Sequence, residues 1–282
     1  MQQRAQAIGV FDSGVGGLTV LRALRDELPH EQFIYLGDTA RLPYGTKSAE
    51  SVVRYALQAA AALIERRVKA LIVACNTASA VALPALCARH ADLPLIGVVE
   101  PGADAAVAAT RSGHIAVIGT EATVRGGAYQ RAIAQRRPDA RVQALACQLF
   151  VALAEEGWTS GAVAEATAQR YLAPLLRPDS ALDGAVDTLV LGCTHFPVLR
   201  AVIRQVLGQR VTIVDSAVTT ARAAHTLLRE RGLLRAPAAM PQAAARPAMS
   251  FLATDSSARF AAVGARFLGS GIGAQEVELI DL

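Results

Sequence analysis

The sequence predicts an α/β protein made of two similar, doubly wound parallel sheets, and three observations carry that prediction. Short runs of apolar and β-branched residues alternate with amphipathic helical stretches along the 282 residues. The alternation restarts near the middle of the chain and repeats in the same order. One local pattern also occurs in both halves: residues 71–79 read LIVACNTAS and residues 189–197 read LVLGCTHFP. Each is a run of β-formers, a small residue, a cysteine and two polar residues, followed by a helical pattern. An uninterrupted apolar run suits a strand buried on both faces of a parallel sheet, and ligands bind at the carboxyl ends of such strands. Cys75 and Cys193 therefore stand at equivalent points of two halves.

In chain order, Ile8 to Phe11 reads as a strand leading into DSGVGGL (12–18) and an amphipathic helix to about Leu28. Phe33 to Leu36 is a second strand, opening onto GDTARLPYG (37–45). Ser48 is placed to N-cap a long helix reaching Arg67. Leu71 to Ala74 forms the third strand and Leu95 to Val99 the fourth, ending at Glu100-Pro101-Gly102. The order then restarts, with Ile115 to Ile118 opening onto GTEATV (119–124). Val142 to Ala146 leads to Cys147 and the stretch FVALAEEGW (150–158), and a helix follows over about 161–176. Thr188 to Leu191 leads to Cys193, and Val211 to Val214 to Asp215-Ser216 and a further helix. Residues 234–249, rich in Ala and Pro, read as a surface loop. A strand at Ser250 to Ala253, a helix to Phe267 and a strand at Val277 to Ile280 finish the chain.

Composition narrows the class. Hydrophobic residues make up 52% and aromatics 5%, so the core is Ala, Val, Leu and Ile. The net charge of +4 is spread thinly; Arg66-Arg67 and Arg136-Arg137 are the longest basic runs, and both fall at expected helix ends. Without a platform of interleaved basic and aromatic residues, no nucleic-acid partner is expected. Residues 1–7 lack the apolar core of a signal peptide, and no apolar stretch reaches membrane-spanning length. Four cysteines without a CxxC pair suit reduced thiols in the cytoplasm.

Two motifs invite cofactor readings and fail them. Gly14 and Gly16 fit a dinucleotide fingerprint, but Thr19 stands where its third glycine belongs, and no Gly-Lys-Ser/Thr follows. A tight turn that exposes Asp12 and Ser13 at the sheet edge fits better. Cys193 and His195 lack the second Cys/His cluster that a zinc site needs, so no metal is expected. A pyridoxal Schiff base needs a lysine, and Lys47 and Lys69, the only two, are poorly placed. Among the cysteines, Cys87 lies in an apolar helical pattern and reads as a buried hydrophobe, while Cys147 follows a strand without polar neighbours. Cys75 and Cys193 each precede a helix N-terminus, where the dipole lowers a thiol below its usual pKa of about 8.5. Two buried structural thiols remain the plainer alternative for either one alone.

DSGVGGLTV (12–20), GDTARLPYG (37–45), ACNTAS (74–79), EPG (100–102) and GCTHFP (192–197) occur in an order and spacing that resemble the aspartate/glutamate racemase family nearly end to end. The DTARLPYG stretch resembles its glutamate branch. The resemblance implies a cofactor-independent enzyme interconverting L-glutamate and D-glutamate by two-base proton transfer at Cα, with D-glutamate destined for peptidoglycan. It implies Cys75 and Cys193 as the acid/base thiols, and Asp12 and His195 as their polar assistants. Glu155 would assist near Cys193; with Gln148 and Ala152 where the family usually has proline, neighbouring Glu156 is the alternative. Asp12-Ser13, Pro43-Tyr44-Gly45, Asn76-Thr77 and Thr194-His195 match its substrate-binding positions. Also implied are pseudo-twofold domains, residues 1–99 with 217–282 and residues 100–216, a site in the cleft between them, and a cytoplasmic homodimer.

The chemistry gives a reason for two thiols. One base removes the α-proton from one face while its opposite, protonated, returns a proton to the other. With each sulfur about 3–3.5 Å from the reacting carbon, the two are expected roughly 7 Å apart, beyond disulfide reach. Three other readings compete. One is racemisation of aspartate or another amino acid, another a Cys-His hydrolase using Cys193 and His195, which leaves Cys75 idle. The last is a two-halved binding protein with no need of thiols.

Overall fold

The computed structural model describes residues 3–176, 186–236 and 248–282. The first half runs β1 (Ile8–Asp12), α1 (Leu18–Glu27), β2 (Phe33–Gly37), α2 (Ala49–Glu65), β3 (Ala70–Val73), α3 (Asn76–Val81), α4 (Leu83–Arg89), β4 (Leu95–Gly97) and α5 (Val99–Ala109). The second runs β5 (His114–Gly119), α6 (Glu121–Gly126), α7 (Ala128–Arg136), β6 (Arg141–Ala146), α8 (Leu149–Glu156), α9 (Ala162–Leu176), β7 (Thr188–Gly192), α10 (Arg200–Leu207) and β8 (Thr212–Asp215). Then α11 (Ser216–Glu230), β9 (Met249–Ala253), α12 (Ser257–Leu268) and β10 (Val277–Leu279) complete the chain.

Two sheets result, ordered β10-β9-β2-β1-β3-β4 and β6-β5-β7-β8, and every strand pairing is parallel. The core order β2-β1-β3-β4 reappears as β6-β5-β7-β8. Cys75 lies just beyond β3 and Cys193 just beyond β7, the same place in each sheet. The strands β9 and β10 extend the first sheet beside β2.

Strand side chains alternate between cores with a period of two. Ile72 of β3, with Leu189 and Leu191 of β7, enters an apolar cluster that contains residues of both sheets. Leu71 and Val73 face α2, whose Ala56, Ala59, Ala60 and Leu63 form the i, i+3, i+4, i+7 stripe that packs there. Val190 faces α5 and α7 in a third cluster. Ser48 does N-cap α2, accepting from the Ser51 N–H.

Three expectations are corrected. The fourth strand stops at Gly97 rather than Val99, and Val99 with Glu100-Pro101-Gly102 forms the first turn of α5; proline is tolerated there because an N–H in a first turn has no helical acceptor. Cys87 is exposed, since α4 spans only two turns and buries only Leu86. Cys193 is followed not directly by an α-helix but by a 3-10 turn, Phe196–Leu199, that leads into α10. Of the loop expected over 234–249, residues 237–247 lie outside the described residues.

At the amino ends of the first sheet's strands, opposite the cysteines, the fully buried Lys69 ammonium meets Glu31 at 2.5 Å and donates to the carbonyls of Arg4 and Leu233. Glu31 also accepts from the Arg235 N–H. This pair ties the segment before β1 and the segment after α11 to the base of the sheet. Removing one partner of a buried pair strands the other, so Lys69→Met is expected to cost about 3–5 kcal/mol, and Lys69→Met with Glu31→Leu to recover most of it. Urea unfolding curves of the three proteins check this.

Candidate active site

The carboxyl ends of β1, β3, β5 and β7 meet around a small cavity. Ser13, Cys75, Asn76 and Thr77 line it from the first sheet, and Thr120, Cys193, Thr194 and His195 from the second. Pro43, Tyr44 and Gly45 close one side, and Val151 of α8 another. Both cysteines thus face one shared space, and both are free thiols.

The halves approach this closely because glycine occupies the contact points. A Cβ on Gly16 would lie 2.4 Å from His195 Nδ1 and 2.5 Å from Thr194 Oγ1, and one on Gly45 would lie 2.6 Å from Thr120 Cβ. Around these gaps, hydroxyls bridge the halves. Thr19 Oγ1 donates to the Thr194 carbonyl at 2.9 Å, and the hydroxyls of Thr77, Thr120 and Thr123 form a triangle with 3.0–3.2 Å sides.

Cys75 N-caps α3, its Sγ accepting from the Ala78 N–H at 3.5 Å and donating to Ser13 Oγ at 3.6 Å. The expected downward shift does not appear. Burial, with the nearby Asp12 charge, pushes the Cys75 thiol up to about 12, outweighing the helix N–H groups. Asp12 is at the sheet edge but fully buried rather than exposed, and its own carboxyl is raised by burial against the opposing charge of His195. Its oxygens accept from the Gly14 N–H at 3.1 Å and the Thr194 hydroxyl at 3.4 Å.

Cys193 has a different neighbour. His195 sets Nδ1 3.8 Å from the Cys193 sulfur and Nε2 3.1 Å from Glu155 Oε1, with its ring edge-on to Phe267. Burial works against a charged imidazole, but the hydrogen bonds to Cys193 and Glu155 and the charges of Cys193 and Asp12 raise it to about 10. Glu155, held below the usual carboxylate range chiefly by its bond to His195, also meets Arg259 at 3.6 Å, and its carbonyl accepts from Arg266. Glu156 is exposed on the other side of α8. Cys147, buried beneath, hydrogen-bonds the Leu145 carbonyl and is pushed up to about 12 by burial.

Two donor sets remain for a ligand. Asn76 is buried with its Nδ2 unpartnered, while the Tyr44 hydroxyl is taken by Asp38. Asp38 also accepts from Arg41 at 2.7 Å and Thr254 at 2.9 Å, so this side of the cavity presents the backbone of Tyr44 and Gly45 rather than a free phenol. Among the described residues no cluster of three or more His, Cys, Asp or Glu is placed to hold a metal.

Sequence reading missed Thr120, Val151 and Asp38. Thr120 had a signal: it follows β5 as Ser13 follows β1, so carrying the repeat one strand further finds it. Val151 and Asp38 had none, since one reaches the cavity from a helix distant in sequence and the other acts through Tyr44.

Comparison with known proteins bears on family and fold. The Asp/Glu/Hydantoin racemase family matches residues 18–224. A glutamate racemase of Geobacter metallireducens is 50% identical over 95% of this chain and 94% of its own. Among solved structures, glutamate racemase of Francisella tularensis in complex with D-glutamate superposes with a TM-score of 0.87, at 35% identity over 99% of this chain and 98% of its own. Glutamate racemase isoform RacE1 of Bacillus anthracis gives 0.89 at 37% identity, with the same coverage.

Two measurements test the electrostatics. A folded pKa of about 10 leaves His195 protonated at every lower pH, so its ring C–H proton shift is expected to stay flat from pH 6 to 8 in NMR and to move only near 10. At pH 8, brief iodoacetamide treatment with peptide mass spectrometry should label exposed Cys87 first and spare Cys75 and Cys147, held as neutral thiols.

Proposed function

Since this chain belongs to the Asp/Glu/Hydantoin racemase family, we propose that it interconverts L-glutamate and D-glutamate, with Cys75 and Cys193 exchanging protons with opposite faces of Cα. The observation that carries the proposal is the pair of free thiols from equivalent strand ends lining one small cavity.

The two thiols have different neighbours. Burial and the nearby Asp12 charge push the Cys75 thiol up, so it holds its proton, whereas Cys193 lies 3.8 Å from the His195 imidazole. The enantiomer whose Cα–H faces Cys193 loses that proton to the sulfur, while the Cys75 thiol delivers its own to the opposite face. The electron pair left on Cα forms the new C–H bond, and turnover in the reverse direction begins from the swapped protonation state. Glu155 keeps His195 oriented and charged throughout.

Charge developing at Cα spreads into the α-carboxylate, where fixed donors stabilise it. We assign the unpartnered Asn76 Nδ2, together with Thr77 and Thr194, to that carboxylate. The Tyr44-Gly45 backbone receives the side-chain carboxylate; Asp12 does not line the cavity, and the buried charge it would supply to the ammonium acts from behind Ser13 and Thr194. The sheet composition favours two domains, residues 1–99 with 217–282 and residues 100–216. Kinship to glutamate racemases favours a cytoplasmic homodimer that supplies D-glutamate to peptidoglycan.

The test is incubation of the pure protein with L-glutamate in D₂O without added cofactor, following optical rotation and Cα deuterium. Racemisation with label in the product enantiomer is expected; unlabelled, optically unchanged glutamate overturns the reading. Cys75→Ser is expected to lower the racemisation rate at least about 10²-fold. A Cys-His hydrolase would be indifferent to it. Gly16→Ala, which drives a methyl against His195, is expected to lower the rate by about 10²-fold with little change in secondary structure by circular dichroism.

A further inference from the structure

The proposed carboxylate donor, Asn76, is set by a residue outside the cavity. Tyr129 of α7 is completely buried, and its hydroxyl donates to Asn76 Oδ1 at 2.7 Å across the two halves. An amide whose oxygen is bound in this way must turn its NH₂ group the other way. That group, Nδ2, is one of four buried side-chain nitrogens without a partner among the described residues, and of the four residues only Asn76 lines the cavity.

The tyrosine ring is seated in turn against a glycine. A Cβ on Gly102 would stand 3.0 Å from its Cε1 and 3.2 Å from its hydroxyl. At the opposite ring edge a Cβ on Gly192 would meet the Ile118 carbonyl oxygen at 2.8 Å before it met Cε2 at 3.2 Å, so that glycine answers first to the neighbouring strand. Gly102 ends the Glu100-Pro101-Gly102 motif, which the chemistry above does not use; Gly192 immediately precedes Cys193. Burial keeps the phenol protonated, and therefore a donor, throughout the working pH range.

We propose that Tyr129 is a positioning residue that locks the Asn76 amide with its NH₂ toward the substrate α-carboxylate, and that Gly102 is there to seat its ring. This rests on the racemase reading above. Without the phenolic hydroxyl, the amide is free to present oxygen to a carboxylate, an orientation that repels it.

The test is a double-mutant cycle of Tyr129→Phe and Asn76→Ala, with thermal unfolding checked first and kinetics followed by Cα deuterium exchange on L- and D-glutamate. Tyr129→Phe is expected to lower kcat/KM about tenfold, mainly through KM, and to have no further effect in the Asn76→Ala background. A purely structural tyrosine would cost the same factor in both backgrounds, which overturns the inference, as does an unchanged KM. Should Tyr129→Phe fail to fold, Gly102→Ala keeps every polar group and favours the helix. It is expected to raise KM about threefold only where Asn76 is present, and equal effects in both backgrounds overturn the inference. A wild-type protein inactive on glutamate would remove the racemase reading instead, so the two failures are distinguishable.

Discussion

The structure depends on bringing the carboxyl edges of two parallel sheets within van der Waals reach of each other. Backbone that close has no room for side chains at the crossing points, and glycine at positions 16 and 45 is the answer to that steric demand. Hydroxyls fill what remains, with Thr19 on the Thr194 carbonyl and the Thr77, Thr120 and Thr123 triangle joining the halves by short neutral hydrogen bonds. The glycine-rich turn after β1 looks like a phosphate cradle in sequence, but here its openness receives an imidazole from the same chain.

Closeness also sets the electrostatics. Excluding water from the site raises Cys75 and Asp12 toward their neutral forms, and the same exclusion strengthens the attraction between His195 and Glu155. Two chemically identical side chains at equivalent strand ends therefore sit in different surroundings: a serine hydroxyl and helix N–H for one, an imidazole for the other.

Much of this was legible in the chain. The LIVAC and LVLGC runs identified the two equivalent strands, and the residues flanking each cysteine do line the cavity. Direction of charge was not legible. Helix N-termini argued for lowered thiol pKa values, but a sequence does not show how much protein will cover a strand end, and coverage outweighed the dipole at Cys75. Cys87 was misread because helical periodicity implies burial only in helices long enough to present a full face, and α4 is two turns. Asp38 and Tyr129 escaped notice because each acts one bond removed from the cavity, through Tyr44 and Asn76, and such contacts exist only after folding.

The repeated strand order carries a last consequence. Because β2-β1-β3-β4 and β6-β5-β7-β8 present their cysteines from the same strand position, a single half-length chain self-associating about a twofold axis could already assemble opposed sulfurs. Holding both halves in one polypeptide lets the matching positions diverge: His195 stands two residues after Cys193 where Thr77 stands two residues after Cys75.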